Sequence, residues 1–150
     1  MDRLIIAAVL IVVAVLVAGL LQRLRDRADA PTQSRWAVPT QLDRADFDGR
    51  DTPWLVALFT SETCDSCARA RQKTAVLASP SVVVQDVPYQ LRKDLHTRYA
   101  VEVVPMILVA GPDGVVAASF VGVPTATDLW AAVAEARAPG ASPEPDLGRP

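Results

Sequence analysis

The sequence predicts an α/β fold in which a mixed central sheet carries helices on both faces, preceded by a single N-terminal transmembrane helix. Three observations lead to this prediction. The chain begins with a long uninterrupted apolar run at 4–21. Residues 39–137 then alternate between short buried-strand patterns and helical periodicity. Two cysteines, Cys64 and Cys67, follow the first of those strand patterns.

The apolar run reads LIIAAVLIVVAVLVAGLL, 18 residues without a polar side chain. A helix of about 20 apolar residues spans a bilayer because its backbone groups bond within the helix. A buried core helix is disfavoured because an apolar surface on every side leaves no polar face for water. A cleaved signal peptide is also disfavoured. The apolar core of a signal peptide is about 7–15 residues long and is followed by an A-x-A cleavage site, whereas this run is longer and no clear A-x-A site follows it. We therefore predict an uncleaved anchor at 4–21 after a short flank, 1–3.

The remaining chain divides by composition. Residues 22–38 are polar and rich in arginine, which is typical of a linker. Residues 138–150 contain four prolines and two glycines and are predicted to be a disordered tail. The domain at 39–137 is long enough to bury a core without structural disulfides. A net charge of −2 and the lack of a basic stripe with interleaved aromatics argue against nucleic acid as a partner.

The first predicted strand is 54–59 (WLVALF), a continuous apolar run that suits a strand buried on both faces. A helix is predicted over 64–79 and is stopped by Pro80. Its buried face recurs at spacings of three and four, through Cys67, Ala70, Thr74 and Leu77.

The second predicted strand, 81–87 (SVVVQDV), is β-branched and ends at Pro88. One side of a second helix is then predicted from Leu91, Leu95 and Tyr99. A strand–helix–strand unit of this kind implies that the two strands lie parallel.

A β-hairpin and a final helix complete the domain. Strands at 106–110 and 115–120 flank the turn sequence Gly-Pro-Asp-Gly at 111–114. Thr125 with Asp128 resembles a capping box that opens the last helix. Its core-facing positions are predicted to be Leu129, Val133 and Ala136. The hairpin adds antiparallel strands to the parallel pair, so the sheet is mixed.

The cysteine pair is predicted to be functional because a disulfide across so short a loop removes little entropy from the unfolded chain. Cys64 is predicted at a helix N-terminus, where the helix dipole and unpaired N–H groups stabilise a thiolate. A thiolate attacks disulfides, so Cys64 is the predicted nucleophile. Cys67, one turn further and less exposed, is the predicted resolving thiol.

The cysteine pair has two other interpretations, a zinc site and a redox-silent pair. A closed zinc site needs four ligands, yet the only histidine, His96, is predicted to be an exposed helix residue and no third cysteine exists. Only a metal shared between two chains would complete such a site. We predict no metal and no cofactor. The other alternative is a redox-silent domain whose cysteines are incidental.

From about 40 to 137 the chain resembles the thioredoxin family. The motif Cys64-Asp65-Ser66-Cys67 is similar to the family's active-site motif. Val104-Pro105, which precedes an apolar strand, is similar to the family's cis-proline segment. Asp113-Gly114 resembles its hairpin turn, and Val121-Gly122 its approach to the last helix. The resemblance implies a thioredoxin-like fold and disulfide chemistry. It also implies that Thr63, Val104 and Pro105 contact the substrate and that Asp65 and Ser66 tune the cysteines.

The sequence departs from that family at several positions. Thr63 replaces a common tryptophan, and Leu58 occupies the place of a buried acid that assists proton transfer, which suggests slower turnover or fewer partners. Asp65 either opposes the Cys64 thiolate, which makes the pair more reducing, or faces water as a first-turn helix acid. The polar stretch 43–52 predicts that the first helix of the family is reduced or absent.

We predict a membrane-tethered thiol–disulfide oxidoreductase, acting as a reductase of protein or small-molecule disulfides. Its partners would be a disulfide-containing client protein, an upstream electron donor and the lipid bilayer around 4–21. The alternative is a non-catalytic thioredoxin-fold binding module that scaffolds a membrane complex. The protein is expected to be a single-pass cell-membrane protein. Arginines after the span favour a cytoplasmic domain, whereas the family resemblance favours an extracytoplasmic one.

Overall fold

The computed structural model describes residues 36–140 together with Val17. The chain divides into two compact units, Met1–Ala30 and Pro31–Pro150, and every element named below belongs to the second. Apart from Val17, the predicted anchor at 4–21 lies outside the described residues, as do the flank 1–3 and most of the predicted linker and tail. Among the residues described, no helix is both long and apolar enough to cross a bilayer.

Four strands form one mixed sheet in the order β2-β1-β3-β4. Their bounds are β1 (Trp54–Thr60), β2 (Val82–Pro88), β3 (Met106–Ala110) and β4 (Val116–Val121). Strand β1 lies parallel to β2, with Trp54 opposite Val82, and antiparallel to β3. Strands β3 and β4 pair as an antiparallel hairpin. The prediction of a mixed sheet is confirmed.

The central strand β1 is buried on both faces because successive side chains point to opposite sides of a sheet. Leu55, Ala57 and Phe59 belong to the core on one side. Val56 and Leu58 belong to the core on the other side. This double burial explains the continuous apolar run in the sequence.

Three helices cover the two faces of the sheet: α1 (Cys67–Ala75), α2 (Lys93–Arg98) and α3 (Ala126–Arg137). Helix α1 packs through Ala70, and α3 through Leu129 and Val133, into the core that contains Val56 and Leu58. Helix α2 packs through Leu95 into the opposite core. Helices therefore lie on both faces, as predicted.

The hairpin turn closes as its sequence predicts. The amide of Gly114 donates to the carbonyl of Gly111 at 3.0 Å, and the amide of Gly111 donates to Val115 at 3.0 Å. Gly114 has φ +79°, and a Cβ at this position would overlap the carbonyl oxygen of Leu42. Glycine is required here because it lacks that atom and tolerates positive φ.

The capping box of α3 is also confirmed. The Thr125 hydroxyl oxygen accepts a hydrogen bond from the Asp128 amide at 3.1 Å, and the hydroxyl donates to the Asp128 carboxylate at 2.7 Å. One of the helix's unpaired amides is satisfied in this way. Leu129 and Val133 are buried as predicted, and Ala136 packs against the same core.

Helix α1 is shorter than the predicted 64–79, starting at Cys67 and ending at Ala75. Beyond it, tight turns replace helical bonding, with the amide of Leu77 donating to the Thr74 carbonyl at 3.0 Å. Ser79 and Val82 then exchange two backbone hydrogen bonds, which turn the chain into β2. The helix therefore ends through this turn, and Pro80 does not set its end.

Two predictions about the second helix were wrong. Leu91 precedes α2 and is 77% exposed, because the helix begins only at Lys93. His96 is buried, and its Nε2 lies 2.8 Å from the Val87 carbonyl oxygen. Since a carbonyl only accepts, Nε2 carries the proton, and this hydrogen bond makes the burial tolerable.

Within the described residues, the polar stretch 43–52 forms only a short 3₁₀ helix, Arg44–Asp46. The Asp43 side chain accepts a hydrogen bond from the Ala45 amide at 2.9 Å and caps this turn.

Candidate functional site

Cys64 and Cys67 are joined by a disulfide, with their Cα atoms 5.4 Å apart. They follow the carboxyl end of β1 across the connector 61–63. Cys64 is half-buried, whereas Cys67 has no exposed surface. Cys64 is thus the more exposed residue of the pair, in the order that the sequence predicted.

Cys64 lies in a turn two residues before the N-cap of α1, whereas the sequence predicted that it begins the helix. Its amide donates to the Ser61 carbonyl at 3.3 Å, and its carbonyl accepts from the Cys67 amide at 3.1 Å. Regular helical bonding begins only when the Ala70 amide donates to Ser66. Cys64 therefore faces the amino end of α1 from outside, where the helix dipole still favours an anion.

The two residues between the cysteines differ in their surroundings. Ser66 is the N-cap residue of α1, yet its side chain makes no capping hydrogen bond. Its Oγ lies 3.6 Å from Cys64 Sγ instead. Asp65 is exposed and precedes the N-cap, and the first turn of α1 contains no acidic residue. Asp65 is therefore exposed to solvent, as one of its two interpretations predicted, but it lies one residue before the N-cap and not in the first turn.

Val104 and Pro105 lie at the same end of the sheet as the cysteines. Phe59 pairs with Met106 at the end of the antiparallel register, so Pro105 comes next to Thr60, just beyond the paired residues. The Val104–Pro105 peptide bond is cis, and Pro105 is buried. The Pro105 carbonyl accepts from the Gly122 amide at 2.8 Å, which joins this segment to the end of β4. Thr63 is exposed immediately before Cys64.

A polar network that the sequence did not predict lies between α1 and the sheet. The buried Thr60 hydroxyl donates to Asp86 Oδ1 at 2.7 Å, and Arg71 Nε donates to Asp86 Oδ2 at 2.7 Å. Arg71 also donates to Thr60 Oγ1 at 3.0 Å. Asp86 lies opposite Leu58 in the β1–β2 register. The only sequence signal was an acid within a strand rich in valine.

A cavity of about 360 Å³ lies beside this network. Its lining is mainly apolar, with the Arg71–Asp86 pair among Leu58, Thr74, Ala75, Ala78 and Val84. Neither cysteine lines it, so it is separate from the disulfide.

The residues described contain no cluster of three or more His, Cys, Asp or Glu side chains able to hold a metal ion. His96 is packed edge-on between the rings of Phe59 and Tyr89. Its Nε2 is occupied by the Val87 carbonyl. The histidine is therefore a structural residue on the face of the sheet opposite to α1.

The solved structures that resemble this chain include several thioredoxins. A point mutant of thioredoxin from Halobacterium salinarum NRC-1 has a TM-score of 0.54 and 20% identity, covering 67% of this chain and 94% of that one. The germline-specific thioredoxin Deadhead from Drosophila melanogaster has a TM-score of 0.53 and 21% identity, covering 67% and 98%. Fasciola hepatica thioredoxin has a TM-score of 0.50 and 22% identity, covering 56% and 81%.

The sequence matches no protein-family model, and it matches no curated protein. The structural likeness establishes a thioredoxin-like fold, which confirms the resemblance stated from the sequence. The Cys64–Cys67 pair is consistent with thioredoxin-like proteins that carry a Cys-x-x-Cys motif.

Proposed function

We propose that this chain, on the basis of its thioredoxin-like fold, is a membrane-tethered thiol–disulfide oxidoreductase that reduces protein or small-molecule disulfides. One observation carries the proposal. The disulfide at the end of the central strand joins a half-buried sulfur, Cys64, to a fully buried one, Cys67. Disulfide exchange needs this asymmetry, because one sulfur must meet the client while the other is held back to resolve the intermediate.

The reaction begins from the reduced pair. The Cys64 thiolate attacks one sulfur of the client disulfide; a mixed disulfide forms, the client's own S–S bond breaks, and the released client thiolate takes up a proton. The Cys67 thiol then loses its proton and attacks Cys64, which releases the second client sulfur as a thiolate. The client gains two electrons and two protons, and Cys64–Cys67 is oxidised. A dithiol donor must then be oxidised in turn to regenerate the reduced pair.

Two features favour the thiolate form of Cys64. The amino end of α1 lies next to it and carries the positive end of the helix dipole. The Ser66 hydroxyl, which caps no helix amide, is close enough to Cys64 Sγ to donate a hydrogen bond to it. A hydrogen bond to the charged form favours ionisation.

Asp65 is the reason to favour reduction over oxidation. Asp65 is adjacent to Cys64 in sequence, and a negative charge near that sulfur opposes the thiolate, which favours the disulfide and makes the reduced pair a stronger reductant. Asp65→Asn should raise the reduction potential of the pair, measured by equilibration with a dithiol buffer. Ser66→Ala should lower the reduction potential, because loss of the hydroxyl removes a hydrogen bond that stabilises the Cys64 thiolate. An unchanged potential in Asp65→Asn would remove the argument for a reductase.

We further propose that the client binds across the end of the sheet where Thr63, Val104 and Pro105 lie. An extended client segment would pair with the backbone of Val104, as in β-strand addition. The position of Pro105 level with the end of β1 supports this arrangement, as does the exposure of Thr63.

The membrane tether is proposed from residues 4–21, which would hold the domain at the lipid bilayer of the cell membrane. The partners proposed are a disulfide-containing client protein and an upstream electron donor. Four arginines after the span favour a cytoplasmic domain, and the resemblance to outward-facing tethered thioredoxins favours the opposite side.

A non-catalytic binding module is the second candidate. The observation that favours it is Leu58, which is buried where the resembled family carries an acid. The neighbouring carboxylate, Asp86, is ion-paired with Arg71. Deprotonation of Cys67 would then depend on water or another group, and turnover would be slow.

Insulin reduction by the full-length chain in detergent, with a small dithiol as donor, separates these candidates. We expect wild type to accelerate reduction above the dithiol alone, and Cys64→Ser to abolish the acceleration. Cys67→Ser should retain a single stoichiometric reaction without turnover, because it lacks the resolving thiol. Wild type that is folded and reduced yet gives no acceleration would favour the binding module.

A further inference from the structure

We infer that Gln90 is a positioning residue for Cys64, an inference that rests on the proposed function. Gln90 lies two residues beyond β2, remote in sequence from the cysteines. Its Oε1 accepts a hydrogen bond from the Glu62 amide at 3.1 Å. Its Nε2 donates to Ser61 Oγ at 3.1 Å. One side chain therefore contacts two successive residues of the connector that leads to Cys64.

One backbone hydrogen bond links the connector directly to Cys64. The Ser61 carbonyl accepts the Cys64 amide at 3.3 Å, so the position of Ser61 sets the position of Cys64. Ser61 Oγ also accepts from the Thr63 amide at 3.4 Å. Within the described residues, the remaining side-chain hydrogen bonds of Ser61, Glu62 and Thr63 are internal to the connector. Gln90 is thus their side-chain link to the rest of the domain.

Gln90 can serve as an anchor because its own backbone is fixed to the sheet. The preceding amide, that of Tyr89, donates to the Thr60 carbonyl at 2.8 Å and extends the β1–β2 pairing. The following amides, of Leu91 and Arg92, both donate to the Pro88 carbonyl, at 3.0 and 2.9 Å. The glutamine is held in a tight turn beside the connector.

Loss of this link would leave the connector free to move Cys64 away from the amino end of α1. The effect of the helix dipole falls off steeply with distance from the helix end, so a small displacement weakens its effect on the thiolate. Gln90 would therefore raise the reactivity of Cys64 without touching the client. The side chain is exposed, so its removal should leave the fold intact.

The test uses the full-length chain in detergent with Cys67→Ser, so that Cys64 is the only thiol. The rate of Cys64 alkylation by iodoacetamide is followed against pH. We expect Gln90→Ala to lower the rate at neutral pH by about three- to tenfold and to move the pH midpoint of the profile upward, with an unchanged melting temperature.

The matched control is Gln85→Ala. Gln85 Oε1 accepts from the Asp48 amide at 2.8 Å, so its loss removes the same kind of side-chain to backbone hydrogen bond away from the connector. We expect this variant to keep the wild-type profile. Ser61→Ala should reproduce part of the Gln90→Ala effect, and the double variant should be less than additive because both changes break one link.

An unchanged profile in Gln90→Ala, or an equal change in Gln85→Ala, would overturn the inference. Fully additive effects of Ser61→Ala and Gln90→Ala would do so as well. The alkylation assay requires no client or donor. If insulin reduction fails but the Gln90→Ala profile shifts, the proposed function is wrong and the positioning role stands.

Discussion

The Tyr99 hydroxyl links the end of α2 to the 3₁₀ turn. It donates to the Asp46 carboxylate and accepts from the Asp43 amide at 2.9 Å. Arg98 bonds the carboxylates of Asp46 and Asp43 at 3.1 and 3.2 Å. Burial, followed by the hydrogen bond to Asp46, raises the pKa of Tyr99 from 10.0 to about 12. The neutral phenol is therefore the form that the folded state favours.

The stability that this hydroxyl provides should depend on pH. Because the folded-state pKa is the higher one, the contribution is complete below pH 10 and is lost as the pH rises towards about 12. We expect Tyr99→Phe to lower the free energy of unfolding by about 1 kcal/mol at pH 8. The difference between wild type and Tyr99→Phe in urea unfolding should shrink between pH 10 and 12. A difference that stays constant over that range would contradict the assignment.

At the scale of elements, the Arg44 side chain links two loops. Its guanidinium donates to the carbonyls of Gly49 and Thr52 at 2.9 and 2.8 Å, and to Gly111 at 3.0 Å in the β-hairpin. The residue is only 9% exposed. Arg44 therefore fixes the irregular segment before β1 against the turn of the β3–β4 hairpin.

Arg44→Met should lower the free energy of unfolding by about 3 kcal/mol, because several partly buried carbonyls lose a charged donor. Arg50→Ala is the matched control. Arg50 donates to the Ala45 carbonyl at 2.7 Å from an exposed position, so its removal should cost less than about 0.5 kcal/mol. Equal losses in chemical denaturation of the two variants would refute the role given to Arg44.

The sequence predicted those elements whose signals are local. The doubly buried β1, the Gly114 turn and the Thr125 cap each follow from a few adjacent residues. The end of α1 and the burial of His96 were missed. After Ala75 the chain forms tight turns, and the Ser79–Val82 turn spans Pro80, whereas the helical pattern of apolar residues continues to Leu77. The partner of His96 lies on β2, so the helical pattern around it does not reveal its burial.

At the scale of the whole molecule, the candidate site combines segments distant in sequence. The cysteine pair and Val104-Pro105 could be predicted because motif spacing indicates them. Gln90 and the Thr60–Asp86–Arg71 network could not, because their partners depend on the register between β1 and β2. A polar residue in a strand or turn reveals its partner only once that register is known.

The proposed membrane tether is tested on the full chain. We expect the wild-type chain to remain with membranes after extraction at alkaline pH, because a spanning apolar helix resists release. Deletion of residues 4–21 should release the chain into the soluble fraction. Release of the wild-type chain by alkaline extraction would contradict an anchor at 4–21. If the wild-type chain stays with the membranes, protease accessibility of the domain in sealed vesicles shows on which side of the membrane the domain lies.

The central claim is that Cys64 exchanges with client disulfides and Cys67 resolves the product. The most direct measurement is to express full-length Cys67→Ser in its own host and to separate thiol-blocked membranes without reductant. We expect covalent client adducts that a reductant releases, and no such adducts when Cys64→Ser is added. Identical adduct patterns in the single and double variants, or no adducts in either, would contradict it.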